Sequence, residues 1–508
     1  MENKQQVSTY RRILSSTTIF GGAQVLGTLF NVIRGKFVAT ILRSEGMGVS
    51  SVINNASNGL QQLSLMGLNV AAVPDISKAN ASEDAKILAA TIRLVRRLVM
   101  AAAIIGVIIT VALSPFISQL SFGTTDYTKY FLLLAAAVFF NVIGTGELTI
   151  MQGMRRYKLL AFCSIVPPLC GLLLSVPIYY IWGIEGIVPA MIVGSVVYFV
   201  IIKTLSYKDK RSRQEREHIS LRTMWQRGSG IIKFGIVMTA GTLLGTLTTY
   251  ALTVYISRLG SLNDVGFYQA ASTITTQYVG LIFTAMAADY YPHLSGLIKT
   301  DAKEAFRLVN QQTEIISLIM TPIIMLLILS APVAISILLT DEFLETGRMV
   351  RLLGMAGIFK ALCFPMDYIA YAKSDTPFIF WVETVWGCAK TFTIMALSYY
   401  FMGLDGLGYG ALITSIVDFI VCIVLIRWRY GFTLSKECLH LITLTTLLTA
   451  ACLGASYIHG TIVKYSLMAI LTTGGFIFCY KQLDQRMHLK GITTRLKAKI
   501  WKGGSHEA

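Results

Sequence analysis

Long apolar runs separated by short polar stretches organise this chain. Residues 98–117, 131–150, 187–202, 315–339 and 411–426 contain no lysine or arginine. Most of these runs approach or exceed the ~20 residues that a helix needs to cross the hydrocarbon core of a bilayer. Because backbone groups in lipid must bond within their own segment, the runs predict membrane-spanning helices. The alternating ~10-residue strands of a membrane barrel are not seen in the sequence.

Fourteen such helices are predicted along the chain. They lie near 13–41, 48–73, 95–118, 129–152, 159–182, 186–204, 229–257, 266–291, 311–338, 349–372, 377–402, 406–428, 437–458 and 462–480. The predicted fold class is therefore all-α, a polytopic membrane protein with two pseudo-symmetric six-helix bundles and a C-terminal helix pair. Its regions are an N-terminal lobe (1–205), a basic cytoplasmic linker (206–228), a C-terminal lobe (229–430), and two extra helices with a basic cytoplasmic tail (431–508).

A repeat relates the two lobes. When the stretch 20–79 is moved forward by 218 positions without a gap, the segment Leu-Gly-Thr-Leu at 26–29 falls on the same segment at 244–247. At the same offset Gly48 falls on Gly266. The match predicts two helix bundles related by a pseudo-twofold axis, an arrangement that is common in membrane transporters.

Composition excludes a soluble globular protein. Hydrophobic residues make up 54% of the 508 residues and charged residues only 14%, and the mean hydropathy is +0.62. These values are typical of a polytopic membrane protein.

The net charge of +17 would fit a nucleic-acid-binding protein, but its distribution indicates a membrane protein instead. If the N-terminus lies in the cytoplasm, 33 of the 44 lysines and arginines lie on the inner side, 6 on the outer side and 5 within helices. Such an excess of inner cations is the positive-inside pattern. We therefore predict a multi-pass membrane protein with both termini in the cytoplasm and no nucleic-acid partner.

The sequence offers no signal for a cofactor or for an enzyme. None of the eight cysteines forms a Cys-x-x-Cys pair, so neither a metal site nor a disulfide is predicted. No nucleophile and base stand in a recognisable arrangement. A transporter is therefore favoured over a catalyst.

Predicted helix 2 carries a polar stripe. Its six polar residues recur at spacings of three and four and so share one side of the helix. They are Ser51, Asn54, Asn55, Asn58, Gln61 and Gln62, and their repeat counterparts in predicted helix 8 include Gln269, Ser272, Thr273 and Thr276. Amides and hydroxyls both donate and accept hydrogen bonds, as a water-filled cleft for sugars requires. The alternative is that these residues bond helices to one another, but the density of amides in helix 2 favours the cavity.

Two cations lie near the outer end of predicted helix 1. Arg34 and Lys36 are two residues apart, so only one of them is expected to face a cavity. A fixed cation above a polar cleft could hold a pyrophosphate. The alternative is that both side chains extend to the membrane interface.

Further charges lie inside predicted spans, where each ion costs about 2.5 to 3.5 kcal/mol on insertion scales. Predicted helices 10 and 11 form a hairpin that places Asp367 level with Glu383, and Lys360 level with Lys390. The two lysines are candidates for substrate binding, although salt bridges within the hairpin explain them equally well. The candidates for coupling to H⁺ or Na⁺ are Glu147, Asp289, Asp367 and Glu383.

Several stretches of the chain resemble a known family. They are 35–39 (GKFVA) with 45–48 (EGMG), 264–269 (DVGFYQ) with 291–295 (YPHLS), and 338–343 (LLTDEF) with 359–360 (FK) and 370–373 (AYAK). These stretches resemble Wzx-type flippases for O-antigen and the related lipid III flippase. That family is the polysaccharide transport branch of the multidrug/oligosaccharidyl-lipid/polysaccharide exporter superfamily. The resemblance spans about 13–430, and the last two helices depart from the twelve-helix members.

The resemblance implies a function as well as a fold. It implies a central cavity lined by predicted helices 1, 2, 7 and 8, and alternating access. The implied substrate is undecaprenyl-pyrophosphate-linked oligosaccharide, which moves to the periplasmic leaflet of the bacterial inner membrane. By the same resemblance Lys36 and Lys360 match basic positions of the family. The implied partners are this lipid-linked oligosaccharide, membrane lipids and a coupling ion.

Three other functions are weighed against this one. A cation-coupled multidrug antiporter would use intramembrane acids such as Glu147. A lipid II flippase is disfavoured because Gln24 and Phe30 stand where that family has arginines. A membrane-bound glycan polymerase or ligase would need a large outer loop, and the predicted outer loops are short.

Overall fold

The computed structural model describes the backbone of residues 2–82, 84–208 and 221–487. Side chains are described over 22–207 except at 83, over 229–276 except at 233, 234, 237 and 238, and over 290–486, together with 280 and 283.

Helices account for nearly all of the described chain, and no β-strand occurs within it. They are α1 (Glu2–Leu65), α2 (Leu68–Ala81), α3 (Ala85–Phe122), α4 (Thr128–Gly153), α5 (Tyr157–Trp182), α6 (Ile187–Lys208), α7 (Leu221–Leu259), α8 (Leu262–Thr300), α9 (Ala302–Leu338), α10 (Gly347–Ala372), α11 (Thr376–Phe378), α12 (Gly387–Tyr430), α13 (Lys436–Ala455) and α14 (Thr461–Met487). A π-helical segment, Ile379–Trp386, joins α11 to α12. The predicted all-α membrane fold is confirmed.

Nine helical stretches of the described chain are long and apolar enough to cross a membrane. Three of these, Gly22–Leu65, Tyr157–Tyr207 and Thr376–Tyr430, are 44, 51 and 55 residues long. Each is more than twice the ~20 residues of one crossing, so each accommodates two crossings with a break between them.

Positive φ angles form these three breaks. Arg43 has φ 58° and ψ −166°, while Gly183 and Gly403 have φ of 56° and 58°. Glycine adopts such angles freely, whereas a residue with a Cβ is strained there by about 1–3 kcal/mol. Arg43 therefore makes a strained corner within α1, between a first arm (2–42) and a second arm (44–65).

Glu342 holds the beginning of the second arm. The backbone N–H of Ser44 donates to Glu342 Oε1 at 3.3 Å, and the Ser44 hydroxyl donates to the same oxygen. A carboxylate at a helix N-terminus satisfies free N–H groups and is favoured by the helix dipole. The bonds therefore offset part of the strain at the neighbouring Arg43.

The described chain divides into two compact units. Unit 1 is Met1–Ala270 with Ile337–Phe343, and unit 2 is Ala271–Ser336 with Leu344–Ala508. The core of unit 1 includes the fully buried Val95 of α3 and Phe131 and Val138 of α4. The core of unit 2 includes Ile324 of α9 and Leu362 of α10. The four regions expected from the sequence stay a prediction.

Two repeat-related glycines show the pseudo-twofold relation within unit 1. A Cβ placed on Gly48 would lie 1.9 Å from the carbonyl oxygen of Leu262. A Cβ placed on Gly266 would lie 1.9 Å from the carbonyl oxygen of Ser44. Ser44 and Leu262 are also 218 positions apart, so the two contacts join corresponding residues of the repeat in opposite order. The second arm of α1 and the start of α8 therefore approach each other closely enough to require glycine on both sides.

We expect Gly48→Ala to destabilise the protein by about 1–3 kcal/mol, because its Cβ would meet backbone atoms that cannot move alone. Gly245→Ala in α7 is the matched control, since nothing lies within 4 Å of a Cβ there. Alanine at Gly245 should leave stability unchanged or raise it by up to ~1 kcal/mol. Thermal unfolding of the purified protein in detergent measures both variants. Equal melting temperatures for Gly48→Ala and Gly245→Ala would contradict the close approach.

Candidate substrate cavity

A polar cavity of about 490 Å³ lies in unit 1. Both arms of α1 line it, together with α4, α5 and α6. The polar lining residues are Gln24, Thr28, Asn31, Arg34, Asn54, Ser57, Asn58, Gln61, Asn141, Ser164, Ser195 and Tyr198. Its volume lies within the ~300–1,000 Å³ that small-molecule sites occupy. A central cavity that also includes α7 and α8 stays a prediction.

The second arm of α1 turns one polar face toward this cavity. Asn54, Asn58 and Gln61 line it, and the side chains of Asn54 and Asn58 are exposed. Asn54 Nδ2 donates to the Ser50 carbonyl at 2.7 Å, and Gln61 Nε2 donates to Ser57 Oγ at 3.1 Å. Their amide oxygens remain available to accept hydrogen bonds from a ligand.

The other three residues of the stripe, Ser51, Asn55 and Gln62, form a separate face, rotated by roughly 75° at ~100° per residue. This packing face bonds to α7 and α8. Its bonds run from Ser51 Oγ to Gln269 Oε1 (2.9 Å), from Asn55 Nδ2 to Thr253 Oγ1 (3.1 Å) and from Gln62 Nε2 to Thr246 Oγ1 (2.8 Å). The polar stripe is thus divided between a face that lines the cavity and a face that bonds helices to one another. Binding of a substrate by the first face stays a prediction. Thr273, the repeat counterpart of Asn55, is half-buried in α8 of unit 2.

Arg34 and Lys36 point in different directions. Arg34 lines the cavity, and its Nη2 donates to the hydroxyl of the buried Tyr179 at 3.1 Å. Lys36 Nζ instead donates to the carbonyl oxygen of Ile337 at 2.6 Å. Arg34 is therefore the cation that a ligand in this cavity would meet.

Glu147 lies in a buried ion network of unit 1. The residue is 2% exposed, and Arg96 donates to both of its oxygens, from Nε and from Nη2, at 2.9 Å each. Lys203 forms an ion pair with it, and Ser206 Oγ donates to it at 2.8 Å. These donors satisfy the carboxylate, so the contacts favour a structural role. Ion coupling through Glu147 stays a prediction.

In unit 2 the acidic candidates Asp367 and Glu383 lie near each other. Glu383 lies in the π-helical segment, within electrostatic range of Asp367 on α10, and the Tyr371 side chain interacts with it. Cys422 Sγ donates to Asp367 Oδ1 at 3.2 Å. π-Helical turns are frequent at functional sites, so Glu383 lies in a type of segment that often carries functional residues.

The basic candidates of unit 2 also lie near each other. Lys390 is 6% exposed and forms an ion pair with Asp418, a partner that the sequence did not indicate. Lys360 is exposed and lies within electrostatic range of Lys390. The side chain of Asp289 lies outside the described residues.

Sequence reasoning missed the residues that α4, α5 and α6 contribute to the cavity. Asn141 and Ser195 bond to each other at 2.8 Å on the cavity wall, and Ser164 and Tyr198 complete that side. The sequence could have identified Asn141 as a candidate, because it is a lone amide within the apolar run 131–150. Such a residue inside a span marks either a cavity or a helix contact, and only the packing distinguishes the two.

The fold and the polar cavity define a polytopic helical membrane protein with a hydrophilic site inside unit 1. The structure of the lipid II flippase MurJ in an inward closed conformation is similar, with a TM-score of 0.68 at 12% identity, over 93% of this chain and 99% of that one. An inward-facing multidrug resistance MATE family transporter of the MOP superfamily gives 0.66 at 17% identity, over 80% and 94%. The Vibrio cholerae MATE transporter VcmN gives 0.55 at 14% identity, over 84% and 98%. At these identities the likeness shows the fold alone.

The chain belongs to the family described as polysaccharide biosynthesis protein, which matches residues 37–348. This match, together with the fold shared with the MurJ and MATE structures, confirms the resemblance found in the sequence at the level of family and fold. A sequence comparison with curated proteins gives no match.

Proposed function

We propose that this protein is a flippase that moves undecaprenyl-pyrophosphate-linked oligosaccharide, an O-antigen unit or a similar surface glycan, across the bacterial inner membrane. The observation that carries the proposal is the unit 1 cavity, whose lining combines amides and hydroxyls with the single cation Arg34. Of the residues that line it, none is a carboxylate. Membership of a polysaccharide biosynthesis family supports the same class of substrate.

Different residues of the cavity would bind different chemical groups of the substrate. Asn54, Asn58 and Gln61 would exchange hydrogen bonds with sugar hydroxyls, since amides donate and accept at once. Arg34 would bind the pyrophosphate through a forked, charge-assisted contact, held in place by Tyr179. The lipid tail stays in the bilayer, and rocking of the two lobes opens the cavity to each side in turn.

Deletion of the gene, followed by analysis of lipid-linked intermediates, tests the function. We expect undecaprenyl-pyrophosphate-linked oligosaccharide to accumulate on the cytoplasmic side and surface glycan to disappear. Proteoliposomes that contain the purified protein should translocate this substrate faster than protein-free vesicles. Unchanged surface glycan, or accumulation of lipid II in place of the oligosaccharide, would contradict the proposal.

The two faces of the second arm should respond differently to mutation. We expect Asn58→Leu to reduce glycan translocation at an unchanged melting temperature, because Asn58 faces the cavity. Asn55→Leu should instead lower stability by about 0.5–1.5 kcal/mol, because it removes the bond to Thr253. Translocation assays and thermal unfolding on the same preparations separate the two effects. A lower melting temperature for Asn58→Leu than for Asn55→Leu would reverse the assignment of faces.

We further propose that the Asp367 and Glu383 pair couples transport to an ion gradient. Two neighbouring carboxylates in a low-dielectric interior are disfavoured when both are ionised, so a shared proton or a Na⁺ would stabilise them. Asp367→Asn and Glu383→Gln should each leave transport that no longer responds to an imposed H⁺ or Na⁺ gradient. The control is Glu437→Gln at an exposed position of α13. If both variants keep the response of the wild type, this pair does not couple transport.

A cation-coupled multidrug antiporter is the second candidate, and the acidic pair is the observation that favours it. Its cationic substrates would need an acidic binding site, whereas the described cavity presents Arg34 and no carboxylate. Uptake of a cationic dye into proteoliposomes distinguishes the two functions. Dye uptake without glycan translocation would establish the antiporter.

A further inference from the structure

Three cations converge where α10 and α14 of unit 2 begin. Arg348 and Arg351 lie in the first two turns of α10, and Lys464 lies in the first turn of α14. Arg348 contacts Tyr457 in the turn that leads into α14, and Lys464 interacts electrostatically with both arginines. We call these three residues the cationic cluster. By the predicted topology, the cluster lies at the outer end of its helices.

One carboxylate offsets part of this charge. Arg348 Nη1 forms an ion pair with Asp405 Oδ2 at 2.7 Å. The Arg348 guanidinium also lies over the ring of Tyr457, with its Cζ 5.8 Å from the ring centroid. Arg348 therefore has partners on two sides.

The other two cations lack such a partner. Arg351 is 8% exposed, and its Nε donates to the carbonyl oxygen of Ile328 at 3.1 Å. Lys464 Nζ lies 5.7 Å from the ring centroid of Tyr465. Among the residues that the structure describes, neither Arg351 nor Lys464 forms an ion pair with a carboxylate. The cluster thus combines three cations with one anion.

Such an arrangement is unfavourable without a further anion. Helix N-termini carry partial positive charge, so cations in the first turns of α10 and α14 are repelled by their own helices. A buried arginine without a counter-ion also carries an uncompensated desolvation penalty. An anion placed among the three side chains would remove both penalties. The hydroxyls of Tyr409 and Tyr457, which lie 3.3 Å apart, are additional donors beside Arg348.

We propose that the cationic cluster binds a phosphoanion, which is either the headgroup phosphate of an anionic phospholipid or a pyrophosphate. Phosphate oxygens match the forked donors of arginine and the point charge of lysine. Anionic headgroups also lie at the depth where membrane helices begin. The proposal assigns a role to α14 that neither the repeat nor the unit 1 cavity explains. It rests on residues outside that cavity, so it stands or fails independently of glycan transport.

Binding to the full-length protein in neutral detergent tests the proposal. The probes are dioleoylphosphatidylglycerol and inorganic pyrophosphate, with dioleoylphosphatidylcholine as the lipid without net charge, and native mass spectrometry and calorimetry give the affinities. We expect Lys464→Gln and Arg351→Gln each to weaken phosphoanion binding about tenfold. Asp405→Asn should strengthen it about threefold, because it removes the competing carboxylate. The control Lys129→Gln removes an exposed cation of unit 1, which lies over the Tyr130 ring, and should change nothing.

The two probes distinguish the sources of the phosphate. If Lys464→Gln weakens the binding of phosphatidylglycerol, the bound phosphate is that of a lipid headgroup. If the protein binds pyrophosphate but not the lipid, and Lys464→Gln weakens that binding, the bound anion is a pyrophosphate. Both results support the site. Because Arg351 is buried and its variant could unfold, the partly exposed Lys464 and Asp405 decide the test. If the wild type binds neither probe, or if Lys464→Gln and Asp405→Asn bind both as the wild type does, the proposal is overturned.

Discussion

Replacing Arg34 by glutamine should reduce translocation of the lipid-linked oligosaccharide at least about tenfold. Arg34 is the cation on the cavity wall, and a charge-assisted contact to a pyrophosphate is worth roughly 1.5–3 kcal/mol. Glutamine keeps a polar, hydrogen-bonding side chain, but it is shorter and carries no charge. The rate of translocation into proteoliposomes, measured at matched protein density, gives the effect.

Two further variants show whether the charge or its position matters. Lys36→Gln removes a cation two residues away, whose Nζ bonds to the Ile337 carbonyl and does not line the cavity. We expect it to reduce translocation less than Arg34→Gln does. Tyr179→Phe keeps the charge of Arg34 and removes one bond to its guanidinium, so an intermediate loss is expected. Equal activity of Arg34→Gln and the wild type would exclude Arg34 from substrate binding.

Replacing Glu147 by glutamine should lower the free energy of unfolding by about 2–3 kcal/mol. Breaking a buried ion pair typically costs about 3–5 kcal/mol, because the remaining charge loses its partner. The cost is smaller here, since the side chains of Arg96 and Lys203 keep exposures of 30% and 41%. Thermal or chemical unfolding in detergent measures the change.

The matched control is Glu304→Gln in α9. Glu304 pairs with Arg307 at 3.7 Å, but both side chains are largely exposed, at 52% and 69%. Exposed pairs of this kind contribute about 0–1 kcal/mol, so the melting temperature should hardly change. If Glu147→Gln unfolds like the wild type but loses ion-coupled transport, the ion-coupling role holds and the structural role does not.

Much of the architecture could be predicted because the residues that specify a membrane helix all lie within that helix. Apolar length and the absence of charge act segment by segment. The repeat also predicted which positions of the two lobes correspond, since an offset of 218 positions relates Gly48 to Gly266. The correspondence could be detected because such a close approach of two backbones tolerates only glycine, so glycine occupies both positions.

The candidate site could be predicted only in part. Periodicity places Asn54, Asn58 and Gln61 on one side of a helix, but it treats the neighbouring Asn55 and Gln62 almost alike. An amide that faces water and an amide that bonds to a threonine on another helix have the same local pattern. The same limit applies to Glu147, whose partners Arg96 and Lys203 lie 51 and 56 residues away in sequence.

From the sequence alone follow the membrane environment, the fourteen helices, the repeat and the rule that Arg34 and Lys36 cannot face the same way. These properties depend on residues within a turn or two of one another, or on composition. Only the tertiary structure decides which amides of the second arm line the cavity, that α4, α5 and α6 complete it, and that Arg348 of α10 lies over Tyr457 near the start of α14. Those properties depend on contacts between distant segments, where small differences in helix rotation determine what each side chain touches.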